Sequence, residues 1–441
     1  MTPGVLRCVA GVGLSLCLVA PVAVQPIVER APAPALAPAP RQALRAVQPE
    51  REGFAPDRLT RLHARLQRFV DEGQVAGLST LVARHGRVVD VATFGLRDRE
   101  QRLPMTRDTI VRIYSMSKIL TSVAALTLVE DGRLRLDEPI ATWLPALASP
   151  QVFTGGTAEA PQLTKAVRPI TVRHLLTHTS GFAYGLSRSP VDDLYREATL
   201  LQARDRTALI AGLARLPLIA QPGERFYYSV STDVLGAIIE IISGQTLGAY
   251  LKTRVLDPLG LRDTGFSVPS AQRSRLAKAY ALNKAGQLEV VTRQGTPYPD
   301  PDGGLFHSGG GGLFSTLDDY ARFAQMLLNG GELDGARILG RKTVESMRAN
   351  HLQHLAQPTI NDRHLGFGLG VGVRLDLAGG APSGSVGQFG WTGAASTYVS
   401  IDPQEQMVTL LFAQHLPNNQ HDYFGAFSTL INAALVDAGG D

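Results

Sequence analysis

At 441 residues the chain is long enough for one large core or two modest ones. Hydrophobic residues at 44% and charged residues at 19% are the proportions of a folded protein and exclude wholesale disorder. The 43 basic and 39 acidic residues leave a formal net charge of only +4, with Arg scattered among acids, so a nucleic-acid-binding surface is not expected.

The chain opens with MTPGVLRCVAGVGLSLCLVAPVAVQP, one early Arg ahead of an apolar run from Cys8 to about Val24 that ends in small residues. This is the pattern of a secretory signal, taken as residues 1–25, and predicts an exported protein, periplasmic or secreted. An uncleaved membrane anchor is the alternative, because the run almost reaches spanning length. Both cysteines, Cys8 and Cys17, lie in this segment. A cleaved chain would have no disulfide, thiol nucleophile or cysteine metal ligand. Residues 26–50, with APAPALAPAPRQ at 31–42, read as an extended Pro/Ala-rich linker. From 51 to 441 no comparable break and no internal repeat occurs, so this stretch is taken as one folded unit with an insertion.

DRLTRLHARLQRFVDEG, residues 57–73, carries apolar residues at helical spacing, and LSTLVARHGRVVDVATFG, 78–95, alternates about His85-Gly86 as a hairpin does. A helix is predicted from Ser115 to about Val129. Residues 144–168 and 185–205 read as loops or short helices that shape a pocket mouth. From about 171 to 350 helical patterns dominate, and strands return in LGFGLGVGVRL, STYVSIDP and MVTLLFAQ before a helix from about Tyr423. Strands at both ends with helices between them predict an α/β (α+β) fold in which the termini share one sheet and the centre is an inserted, mainly helical lobe.

Three stretches carry chemistry. In IYSMSKILTSVAAL, residues 113–126, Ser115 and Lys118 lie three apart and so share a helix face. A serine hydroxyl becomes a nucleophile when a base takes its proton, and a lysine amine serves as that base only if burial or a neighbouring cation brings its pKa down toward neutrality. The plain alternative is a serine cap followed by a solvated lysine. A Ser-x-x-Lys match arises about once by chance in a chain of this length. In PGERFYYSVSTDVLGAIIEIISG, 222–244, Tyr228 falls between a Pro-Gly turn and a helix starting near Thr232, as a proton carrier or as a packing aromatic. In GQFGWTGAASTYVSIDP, 387–403, a Gly-rich turn into a strand would let backbone N–H groups approach an oxyanion, with Trp391 as an apolar wall or an edge-strand packing residue.

Together, and with LLTHTSGF at 175–182 and GGGGLFSTLDDYARFAQMLLNGGEL at 309–333, these stretches resemble the serine beta-lactamase and penicillin-binding-protein superfamily in its class C-like branch. The nearest likeness is to the family VIII carboxylesterases, over most of residues 51–441. The resemblance implies an antiparallel sheet flanked by helices, with the site in the crevice beside the inserted lobe. It makes Ser115 the acylated nucleophile, Lys118 and Tyr228 the base network, and the N–H groups of Ser115 and Ala394 the oxyanion donors. Trp391, Gly393 and Ala394 are the implied substrate-binding residues.

Two departures separate the branches. Beta-lactamases of this kind carry Tyr-x-Asn where this chain has Tyr228-Ser229-Val230, and Lys or His before Thr-Gly where it has Trp391-Thr392-Gly393. The missing cation would pair a substrate carboxylate, and a charge-assisted pair of that kind is strong. A tryptophan favours an uncharged, apolar group, so hydrolysis of small uncharged esters comes first. A beta-lactamase or D-amino-acid peptidase or amidase, an acyltransferase, and a non-catalytic penicillin-binding or wall-sensing module are the alternatives. The expected partner is a small-molecule ester or amide, with no nucleic acid, no cofactor, no metal, and a membrane only if the N-terminal segment stays uncleaved; oligomeric state is not assigned.

Other motifs are read as structural. The Gly-x-Ser-x-Gly elbow is absent. His351 and His354 in HLQH could share a helix face as metal ligands but have no HExxH beside them and read as a solvated pair, and the resemblance makes His174 and His178 structural, with His178 bonding a loop rather than doing chemistry. Gly309 to Gly312 lack a following Gly-Lys-Ser/Thr and read as a flexible turn before a helix capped at Ser315 or Thr316.

Overall fold

A computed structural model describes residues 43–291, 299–304, 306–360, 364–378 and 383–436. The segment expected as a signal and most of the expected linker lie outside the described residues. Residues 43–50 do not: Ala46 bridges Val88, the Val88 N–H donates to Arg45 O at 2.8 Å, and the Val47 N–H to Val88 O at 3.0 Å. Pairing with the hairpin therefore starts a few residues ahead of position 51.

Helix α1 (Pro56–Asp71) begins with a proline in its first turn, where no N–H is needed, and buries Leu59, Leu62, Leu66 and Phe69 along one face. Each such side chain contributes roughly 1.5–3 kcal/mol by leaving water. Strands β1 (Gly77–Arg84) and β2 (Arg87–Asp98) form the expected hairpin, and β3 (Leu103–Pro104) borders it. Helix α2 (Ser117–Glu130) follows. The lobe contains α3 (Pro190–Ala198) and α4 (Ser231–Ser243), and α5 (Leu317–Leu328), capped by the Thr316 side chain, returns to the sheet. Strands β4 (Leu365–Phe367), β5 (Gly372–Arg374), β6 (Phe389–Gly393), β7 (Thr397–Asp402) and β8 (Met407–Ala413) precede the last helix, α6 (Tyr423–Ala434).

The eight strands form one antiparallel sheet in the order β4-β5-β6-β7-β8-β1-β2-β3. The chain ends thus share a sheet, as the distribution of strand patterns predicts. β1 and β8, paired from Leu78↔Ala413 to Arg84↔Met407, are buried on both faces. Their alternation sorts side chains between two cores. Leu78, Val82, Met407 and Leu411 join α1 and α6 on one side, while Leu81, Val408, Leu410 and Phe412 face α2, α5 and the lobe. Helix α2 is buried all round from Ser117 to Leu128, as a helix apolar on every side must be.

Two local expectations are corrected. Residues 151–165 form a hairpin, Gln151–Gly156 with Pro161–Lys165, rather than a loop or helix. Its strands are largely exposed and lack apolar alternation; backbone bonds from Phe153 N–H to Leu218 O (2.9 Å) and Leu218 N–H to Gln151 O (2.7 Å) dock it on the lobe. His351 and His354 lie in a turn, where the His351 ring contacts Ser346 O at 2.9 Å, so they share no helix face. Among the described residues no single helix is long and apolar enough to cross a membrane, and no group of three or more His, Cys, Asp or Glu could hold a metal ion.

Candidate active site

The chain enters α2 through a short 3-10 turn, Tyr114–Met116, so Ser115 precedes the α-helix instead of opening it. Tyr114 has φ of 43°, in the left-handed region that a bulky residue rarely adopts. Such an outlier persists only where its surroundings hold it, and here it turns the backbone sharply just before Ser115. Lys118, in the first turn of α2, is 1% exposed. Its Nζ donates to Gly310 O at 2.6 Å and lies 3.3 Å from Ser115 Oγ. Burying an amine is costly unless it is bonded. The Gly310 carbonyl supplies one bond, and the faces of Tyr228 and Tyr184, with centroids 4.7 and 5.3 Å from Nζ, supply cation–π contact. The helical three-residue spacing thus becomes an amine aimed at a hydroxyl.

Tyr228 lies just ahead of α4 in an aromatic box. Its ring stacks on Tyr184 (5.7 Å, 19°), tilts against His178 (4.7 Å) and faces Trp391 (5.6 Å), whose Nε1 donates to the Tyr228 hydroxyl at 3.1 Å. His178 is buried, and burial together with Lys118 pushes its pKa well below the ordinary value, so the ring is neutral. Its Nδ1 accepts the Ser229 N–H at 3.2 Å, which leaves the proton on Nε2. His178 therefore pins the Tyr228-Ser229 backbone, the loop-bonding role expected of it. Tyr184 is held protonated: burial first, then Asp233 and Tyr228, raise its pKa well above the phenol range.

Trp391 sits on β6 with its ring across Gly372 of β5, where an added Cβ would come within 2.9 Å of the indole. Gly393 ends the same strand. It was expected among the substrate-binding residues, but it does not line the cavity. A Cβ there would collide with Thr397 Oγ1 and the Ile113 carbonyl, so only glycine lets β6 press against the segment leading to Ser115. That close approach brings Ala394 and Ser115 to the same cavity wall.

The cavity holds about 820 Å³, and its lining includes Ser115, Tyr184, Tyr228, Trp391 and Ala394 together with Leu200, Phe266 and Phe306. The 185–205 segment contributes Gly185, Leu186, Tyr195, Arg196 and residues 199–204 to the lining; the 151–165 hairpin contributes nothing. Ser115, Lys118, Tyr228, Trp391 and Ala394 are thus gathered at one place. Sequence reasoning missed Tyr184, the Gly310 carbonyl and Asp233. The 309–312 run, read as a flexible turn, is packed: a Cβ at Gly309 would lie 2.7 Å from Thr232 O, and one at Gly310 2.5 Å from Asp233 Oδ2. Four glycines in a row were the available signal of a close backbone approach. Chemically, the arrangement offers a hydroxyl beside a buried amine, a phenol one ring away, and an apolar chamber for an acyl or alcohol group.

The family profile described as Beta-lactamase matches residues 62–431. Protein Rv1367c of Mycobacterium tuberculosis is 38% identical over 366 residues, 80% of this chain and 90% of that protein. Esterase EstB of Burkholderia gladioli is 36% identical over 283 residues, 59% of this chain and 68% of that protein. Among solved structures, EstCE1, described as a hydrolase with promiscuous acyltransferase activity, aligns with a TM-score of 0.71 at 28% identity, covering 87% of this chain and 99% of its own.

Proposed function

Because this chain belongs to the beta-lactamase family and is a serine hydrolase, we propose that it is a carboxylesterase acting on uncharged esters through an acyl-enzyme on Ser115. The observation that carries the reading is the Lys118 Nζ held 3.3 Å from Ser115 Oγ, with a tryptophan rather than Lys or His at position 391 of the cavity wall. Ser115 Oγ attacks the ester carbonyl while Lys118 and Tyr228 take its proton. The oxyanion is received by the N–H groups of Ser115 and Ala394. The carbon–oxygen bond to the alcohol breaks as Tyr228 delivers the proton to the leaving oxygen. Water then attacks the acyl-enzyme by the same proton route and frees the acid and Ser115. A cavity of about 820 Å³ is in the range that encloses drug-sized ligands, so bulky acyl or alcohol groups fit as well as small ones.

Acyl transfer is the second reading. It is favoured by the volume of the cavity, about 820 Å³ with Leu200, Phe266 and Phe306 in its lining, which leaves room for an acceptor alcohol beside an acylated Ser115. The N-terminal apolar run supports export, with residues 1–25 removed.

Ser115→Ala should abolish hydrolysis of p-nitrophenyl butyrate, and a fluorophosphonate probe should label only the peptide containing Ser115. Retained turnover in the purified variant, or label elsewhere, rejects the assignment. Nitrocefin, a D-Ala-D-Ala peptide and acyl esters assayed side by side separate the esterase from the lactamase and peptidase alternatives.

A further inference from the structure

Asp233 takes no part in the reaction above, yet it is buried to 1% exposure beside the catalytic lysine. It lies in the first turn of α4, where a helix favours negative charge. Its Oδ1 accepts the Ser308 hydroxyl at 2.6 Å and the Gly310 N–H at 3.1 Å. Oδ2 has no hydrogen-bond partner among the described residues. Gly310 then turns its carbonyl the other way, onto Lys118 Nζ at 2.6 Å, while the neighbouring Gly309 carbonyl accepts Thr121 Oγ1 at 2.8 Å. A single residue's backbone therefore spans the acid on α4 and the amine on α2.

We propose that Asp233 is a positioning residue for Lys118: through the Gly310 backbone it aims the amine at Ser115. The inference rests on the reading of Ser115 and Lys118 as nucleophile and base. The groups facing the pair are few. Lys118 comes from α2, Ser308 and Gly310 from the glycine loop, and Tyr184, Tyr228 and His178 from the segments ahead of α3 and α4. Both His178 and Tyr184 are held uncharged by burial. Burial pushes the Asp233 carboxyl upward, and Lys118, the Ser308 hydroxyl and the Gly310 N–H act against that.

The test uses the full chain with Asp233→Ala, Asp233→Asn and Ser115→Ala, reading kcat and KM for p-nitrophenyl butyrate across pH together with thermal unfolding. Asp233→Ala removes the anchor of Gly310, and kcat should fall about 100-fold with KM within about threefold, the scale of a 1 Å misplacement. Asp233→Asn keeps an oxygen acceptor without the charge. It should recover at least about tenfold of that loss in kcat, again with KM nearly unchanged. A purely structural role would lower thermal stability along with activity and would not separate kcat from KM. An Asn variant as slow as Asp233→Ala, or a folded Ala variant within threefold of the parent, overturns the proposal. If the Ala variant does not fold, the isosteric Asn variant decides. Should Ser115→Ala stay active, the reading of the nucleophile fails; should it be inactive while both Asp233 variants behave as the parent, only the present inference fails.

Discussion

Replacing Gly310 by Ala tests the seating of the catalytic amine with a single methyl group. The residue does not need a left-handed conformation, so the substitution introduces no backbone strain of its own. The new Cβ would lie 2.5 Å from Asp233 Oδ2 and 3.2 Å from Oδ1, whereas ordinary contact begins at 3.4 Å. About 0.9 Å of movement is therefore required. Asp233 yields little, because it is fully buried and its Oδ1 is bonded to Ser308 and Gly310. The loop moves instead and takes with it the carbonyl that holds Lys118 Nζ at 2.6 Å. A displacement near 1 Å at a catalytic group lowers kcat by about 100-fold, equivalent to roughly 2.7 kcal/mol in the barrier. Steady-state kinetics with p-nitrophenyl butyrate should show that loss in kcat with KM nearly unchanged, since the apolar walls of the cavity are untouched. A folded Gly310→Ala protein whose kcat stays within threefold of the parent would refute the claim that this carbonyl seats the amine.

Trp391→Lys should place a cation at position 391 and shift selectivity toward an ester bearing a carboxylate by about tenfold in kcat/KM, the scale of one hydrogen bond to a charged group; unchanged selectivity would show that residue 391 does not face the substrate. Acid should weaken the fold through His174, whose pKa is lowered to about 4, chiefly by burial and then by Arg168. The unfolded chain protonates this ring near 6.5 and the folded one near 4, so stability is lost as pH falls through that window. The gap is worth roughly 3 kcal/mol. The loss has a structural basis, because the Thr171 N–H donates to His174 Nδ1 at 3.2 Å, a bond that protonation of that nitrogen breaks. Urea unfolding at pH 7 and pH 4 should show the parent losing about that much more stability than His174→Gln, and an equal loss in both proteins would remove His174 as the cause.

Much of the site was legible because it rests on local periodicity. Ser115 and Lys118 face each other through the three-residue spacing of a helical turn, and the departure at Trp391 could be read directly against the family pattern. What stayed hidden depends on groups that residue type does not identify. The atom that holds Lys118 is a backbone carbonyl 192 positions away, and every residue has one. Asp233 reads as an ordinary first-turn acid until Ser308 and Gly310 are seen against it. Gly393 was assigned to the ligand because glycine near a site suggests close approach, and the approach exists, but toward the Ile113 carbonyl. At the level of the fold, the hairpin pattern through β1 and the apolar run MVTLLFAQ at β8 announced strands, whereas the 151–165 hairpin is polar, exposed and specified by its docking to Leu218.

The place of β8 beside β1 at the middle of the sheet also sets the order of assembly during synthesis. Leu78 waits for Ala413, so a ribosome must release nearly the whole polypeptide before the central ladder can close. Truncation between 403 and 406 would leave β1 and β7 as raw edges open to intermolecular pairing and aggregation. Maturation is expected to be slow and all-or-none, governed by one long loop closure rather than by stepwise growth from the amino end.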